Sequence, residues 1–159
     1  MVKTNVMRLL EQAGIAFTPR EYEVDEDDLS GVHAAAMMQV APEMLFKTLV
    51  AATEKNVCYV FCIPVAEELD LKKAAQAAGE KKIEMLHVKD LLKTTGYIRG
   101  GCSPIGMKKK FPTFIDETAQ LFDEIGVSAG QRGAQIFIAP DDLAAFTDGK
   151  YVDLTKENG

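Results

Sequence analysis

Phe46-Lys47-Thr48-Leu49-Val50-Ala51-Ala52 and Val57-Cys58-Tyr59-Val60-Phe61-Cys62-Ile63-Pro64 are two apolar runs joined by Thr53-Glu54-Lys55-Asn56. Both are short for helices and rich in residues that suit a pleated surface. With a polar turn between them they predict a β-hairpin. Within the first run Lys47 is the only charge. Strand alternation puts it on one face with Leu45, Leu49 and Ala51. A cation on an apolar face is costly unless it meets an anion or a polar cavity. Two readings stand: a lysine that keeps an edge strand from aggregating, or a functional cation.

Helices are expected on both sides of the hairpin. Val6, Leu9, Leu10 and Ala13 recur at helical spacing over Asn5–Ala13, with Gly14 as the stop. Ser30 is placed to cap a helix through Met38, and Pro42 suits the first turn of a short one. Asp70 caps Leu71–Ala78, closed by Gly79. Val88–Thr94 ends at Gly96, and Pro140–Phe146 closes the chain. Ile15–Val24, interrupted by Pro19, reads as extended. Further strands are expected at Lys82–Met85, Phe111–Asp116, Glu124–Ser128 and Ala134–Ala139. Strands outnumber helices and short turns join many neighbours. The expectation is an α+β fold: one domain over 1–159, with a mixed, largely antiparallel, barrel-like sheet and helices packed around it.

Composition narrows the function. The chain has 159 residues, 47% hydrophobic and 26% charged, enough for a core without staples. Disorder is expected only at the ends, as over Thr155–Gly159. The net charge of -6 argues against wholesale coating of nucleic acid. Lysines nevertheless cluster at Lys72-Lys73, Lys81-Lys82 and Lys108-Lys109-Lys110, away from the acids of Glu21–Asp28. Three cysteines, Cys58, Cys62 and Cys102, fit a reducing compartment, and Cys58 and Cys62 share a strand face as small hydrophobes. No spacing of His33, His87 and these cysteines matches a metal site, so no metal and no cofactor are expected. Without a long apolar stretch the expectation is a cytoplasmic protein with neither membrane nor DNA as a partner.

Gly96-Tyr97-Ile98-Arg99-Gly100-Gly101-Cys102-Ser103-Pro104-Ile105-Gly106 is the second unusual stretch. Its glycines permit either a tight loop without a ligand or a cradle of backbone N–H groups for an oxyanion. It is not a nucleotide loop: Gly-x-Gly-x-x-Gly is absent, and Met107 stands where a P-loop lysine belongs. Ser128-Ala129-Gly130-Gln131-Arg132-Gly133 is a third, with one cation in a small-residue turn. No residue pair forms an evident nucleophile and base.

These segments together resemble the YbaK and prolyl-tRNA-synthetase editing-domain family. The resemblance runs through Phe46–Val50, Pro64-Val65, Leu69–Lys73, Lys82–Met85, Thr95–Tyr97, Gly100–Gly106 and Val127–Gly133, in the family's order over nearly the whole chain. It implies a deacylase for mischarged tRNA in which Lys47 is the essential cation and Gly101 contributes backbone contacts to the aminoacyl ester. Tyr22, Thr48 and Ser128 match pocket residues. Cys102, Ser103, Pro104, Gly106 and Arg132 fall in the matching loops and are expected at the substrate. Where family members often carry an aromatic residue before the second helix, this chain has Leu29-Ser30-Gly31. The implied substrate is Cys-tRNA(Pro), with the cysteinyl thiol supplying the missing nucleophile and prolyl-tRNA synthetase a candidate partner. Thr48 after Lys47 fits the cysteine-removing branch. The rival readings are Ala-tRNA(Pro) or another mischarged tRNA as substrate, a module that binds aminoacyl-tRNA or an amino-acid ligand without hydrolysis, and a structural or regulatory protein.

Overall fold

The computed structural model describes residues 3–157. Strands β1 (Thr18–Glu21), β2 (Phe46–Ala52), β3 (Cys58–Pro64), β4 (Glu84–Met85), β5 (Thr113–Asp116), β6 (Ile125–Gln131), β7 (Ala134–Ile138) and β8 (Lys150–Val152) form two sheets. One is antiparallel, in the order β1-β7-β6; the other runs β4-β2-β3-β5-β8. The expected hairpin is its centre, with Lys47 opposite Ile63 and Thr48 opposite Cys62. β5 lies parallel to both β3 and β8, so this sheet is mixed.

A single parallel bridge, Leu45 to Gly126, sets the start of β2 beside β6. The far end of β2 pairs with β4. Among the described residues neither sheet closes on itself, so the expected barrel is not found; the α+β class and mixed sheet are. Pro19 sits within β1 without harm because β1 is an edge strand, where a missing N–H breaks no ladder.

Five helices cover the sheets: α1 (Asn5–Gln12), α2 (Gly31–Met38), α3 (Leu71–Ala78), α4 (Val88–Thr95) and α5 (Pro140–Thr147). The expected caps form. Ser30 Oγ accepts from His33 N–H, and Asp70 accepts from Lys72 and Lys73 N–H. One face of the sheets meets α1 and α5 through Val6, Leu10, Leu143, Val60, Cys62, Ile136 and Ile138. The alternate residues of the hairpin, Ala51, Phe61 and Ile63, pack with Ala74 and Ala75 of α3. Ala34, Ala35 and Met38 of α2 lie on Leu45, Val65 and Phe137.

The C-terminal expectation is corrected. Thr155 bridges Leu69 and Lys156 N–H donates to Glu68, so these residues are tied down; positions 158–159 lie outside the described residues.

Candidate active site

β6 covers one end of the outer edge of β2 and β4 the other, and the middle is left open. A cleft of about 400 Å³ occupies that gap. Lys47 and Thr48 form one wall; Ser128 and Gln135 form the opposite one, with Tyr22 beside them. Leu86, Val88 and Leu91 add an apolar side.

The hairpin register decides which backbone groups reach the cleft. Val65 N–H donates to Leu45 O, so Leu45, Lys47, Leu49 and Ala51 spend their backbone groups on β3. Phe46, Thr48 and Val50 then point the other way, and Leu86 N–H does reach Val50 O from that side. Thr48 lies between the stretches covered by β6 and β4, so its N–H and C=O face the cleft. A donor at this place was not read from the sequence, because it follows from where two other strands stop.

Lys47 is half-buried and enters no ion pair or hydrogen bond among the described residues. Burial lowers its pKa, while Glu68 and Glu67 at longer range pull it back up. Thr48 Oγ1 approaches Cys62 Sγ at 3.9 Å. Burial pushes the Cys62 thiol up to about 12 and the cleft-lining Cys102 thiol to about 11. Both stay protonated near neutral pH and are poor nucleophiles.

The structure splits the glycine-rich loop. Arg99, Gly100 and Cys102 line the cleft. Ser103 is fully buried, its Oγ accepting from Ile105 N–H. Pro104 and Gly106 border a separate small hollow with Phe111 and Phe146. Tyr97 Oη donates to Ile105 O and pins this half of the loop. Ser103, Pro104 and Gly106 are therefore not brought to the cleft.

Gly101 is buried behind the loop, and its N–H already donates to Ile98 O. A Cβ there would stand 3.1 Å from backbone atoms of Gln131 and Arg132. Its small size thus serves packing against the β6–β7 turn. Arg132 does not line the cleft either. Its Nε donates to Arg99 O at 2.9 Å and its Nη1 pairs with Glu26, bracing the loop from outside.

Leu29, Ser30 and Gly31 do line the cleft. A Cβ on Gly31 would lie 2.3 Å from Val65 Cγ1, so glycine lets α2 begin against β3's end. The residue most clearly missed is Gln135. It is the one polar residue in Ala134–Ile138, the same signal that picked out Lys47 in β2.

Comparison with known proteins agrees with this architecture. Residues 28–146 match the family described as aminoacyl-tRNA editing domain. An Enterococcus faecalis protein named "Putative Cys-tRNA(Pro)/Cys-tRNA(Cys) deacylase EbsC" is 50% identical over 153 residues, spanning 96% of this chain and 93% of that protein. Two solved structures share the fold. "Crystal structure of a putative trans-editing enzyme for prolyl tRNA synthetase" has a TM-score of 0.81 at 23% identity, covering 99% of this chain and 100% of that one. Hypothetical protein APE2540 has a TM-score of 0.86 at 18% identity, over 95% and 99% of the two chains. The fold and matched family define an aminoacyl-tRNA editing protein, an aminoacyl-tRNA deacylase by enzyme class. The chain belongs to the YbaK family within that class.

Proposed function

We propose that the cleft hydrolyses the ester of Cys-tRNA(Pro), the substrate's own thiol acting as nucleophile. The observation that carries this reading is the pairing of a half-buried Lys47 ammonium with a Thr48 N–H, both without a partner among the described residues, at a cleft whose protein thiol stays protonated. Cation and N–H suit an ester carbonyl oxygen that gains negative charge, and groups held ready before reaction need no reorganisation. A cysteinyl substrate closes the gap left by the missing nucleophile. Its sulfur bonds to the carbonyl carbon as the carbon–oxygen bond to the ribose breaks. The thiol proton goes to the leaving oxygen, and water then opens the thiolactone to free cysteine.

Lys47 stabilises the oxyanion in this scheme, and Tyr22, Ser128 and the apolar side hold the aminoacyl group. Gly101 and Arg132 act at one remove by shaping the loop that carries Arg99, Gly100 and Cys102. A cleft of about 400 Å³ admits the aminoacylated end of a tRNA and not its body. Selection of tRNA(Pro) then falls to a partner, with prolyl-tRNA synthetase the candidate, and the setting is the cytoplasm. The test charges tRNA(Pro) separately with cysteine, alanine and serine, and tRNA(Cys) with cysteine. Both cysteinyl esters should be cleaved fastest. Faster loss of the alanyl ester would overturn the cysteine assignment, and no turnover of any would overturn hydrolysis by this cleft.

A further inference from the structure

We propose that Gln135 receives the free α-ammonium of the aminoacyl group, so that the site selects esters with an unblocked amine and rejects N-acylated ones. This rests on the deacylase reading for its substrate class, and on three separate observations for its geometry.

First, Gln135 is only 7% exposed, and its Oε1 is fully buried with no hydrogen-bond partner among the described residues. A buried acceptor without a donor is a standing cost in a folded protein, and it calls for a donor from a ligand. Secondly, β7 alternation fixes where it faces. Ala134, Ile136 and Ile138 point into the core, which leaves Gln135 on the opposite face, opposite Ser128 and lining the cleft.

Thirdly, no acidic residue lines the cleft among the described residues. Its charged lining residues are the cations Lys47 and Arg99. An aminoacyl ester brings its own cation, which must lie away from Lys47 and against neutral acceptors. The Ser128–Gln135 wall provides them. Ser128 Oγ accepts from Gly130 N–H at 3.1 Å and keeps a second lone pair. Of an aminoacyl ester's donors, the ammonium gains most, because hydrogen bonds to charged groups are the stronger kind. Acylation removes the charge and two of the three protons and adds bulk at this wall.

The test measures binding of 3′-cysteinylamino-3′-deoxyadenosine, whose amide link resists hydrolysis, beside its Nα-acetyl and Nα-methyl derivatives. Wild-type protein should bind the free amine and the Nα-methylamine about 10- to 100-fold more tightly than the acetylated form. Gln135→Met, of similar volume, should erase that preference, and Gln135→Glu should keep it. Equal affinity of wild type for free and acetylated forms overturns the proposal, whatever the variants do. Preference retained by folded Gln135→Met also overturns it, since bulk alone would then exclude the acetyl group. Amine preference without turnover of any charged tRNA would sink the deacylase reading and leave this assignment supported.

Discussion

The two walls of the cleft interrupt apolar strands in the same way and meet the cost differently. On β2 the interruption is Lys47, a charge that is half-buried and balanced at a distance by Glu67 and Glu68. On β7 it is Gln135, neutral and nearly enclosed, with an acceptor that has no partner among the described residues. Each is a local defect in packing that makes sense once a substrate is present. In the proposed reaction the β2 wall offers positive charge and an N–H to a developing oxyanion. In the proposed binding mode the β6–β7 wall offers neutral acceptors to the substrate's ammonium. An aminoacyl ester carries both needs a few bonds apart, and a cleft of one sign on both walls would repel one of them.

The largest effect is expected on the β2 wall. Lys47→Ala should lower kcat/KM for the cysteinyl ester by about 10²–10³-fold, the usual loss of one oxyanion-stabilising donor. Its thermal midpoint should stay level or rise, because a poorly solvated charge is removed. Normal turnover by the folded variant would break the comparison, leaving Lys47 a half-buried strand lysine with no part in hydrolysis.

Next comes the loop that joins the walls. Gly101→Ala forces a Cβ against the Gln131–Arg132 backbone at 3.1 Å, and overpacking of this kind costs about 1–3 kcal/mol. Urea unfolding should show that loss, with activity falling as the Arg99–Cys102 segment shifts. Unchanged stability with lost activity would restore Gly101 to direct contact with the ester.

A smaller effect of opposite sign belongs to the β7 wall. Gln135→Met removes the orphaned acceptor and keeps the volume, so the free protein should gain about 1 kcal/mol, roughly 2–4 °C in Tm. A loss would mean that Gln135 has a structural partner, and the two walls would no longer be alike.

This contrast also explains what was legible beforehand. A charge within an apolar strand stands out, because burying it costs so much; a neutral amide passes as ordinary strand polarity. Lys47 stands out for that reason, whereas Thr48, Tyr22, Cys102 and Ser128 are expected only from the family resemblance; all five line the cleft. Ser103, Pro104 and Gly106 share a loop with Cys102, and spacing alone cannot show where such a loop turns inward. The turn is made by Tyr97 bonding Ile105 O, a contact that only the folded chain reveals. The hairpin and five helices were legible from period and caps. β8 was not: three residues, none buried, pair in parallel with β5 across a long sequence gap. Whether the sheets curve into a barrel-like whole is not legible for a related reason, since local pattern does not say which strand edges meet.

The smallest effect separates the walls by pH. Gln135 does not titrate, whereas Lys47 has a pKa lowered below the ordinary lysine value of 10.5 by burial. The protonated form is thus disfavoured in the folded state relative to the unfolded chain. Below the folded pKa both states carry the proton, and its cost to stability is fully present. As pH rises from the folded pKa towards 10.5, the folded protein has released the proton while the unfolded chain still holds it, and the cost is relieved. Wild type should therefore gain stability relative to Lys47→Met across that alkaline window. Over the same window it should lose the ammonium that the oxyanion needs. Other groups titrate there too, but they do so in both proteins and cancel in the difference. Unfolding free energies of wild type and Lys47→Met, measured in parallel from neutral pH upward, read the sign directly. A difference that stays flat would mean that Lys47 is solvated like any surface lysine. A difference that moves the other way would mean that Glu67 and Glu68 outweigh burial, and that the β2 wall holds an ion pair where we place an unpartnered cation.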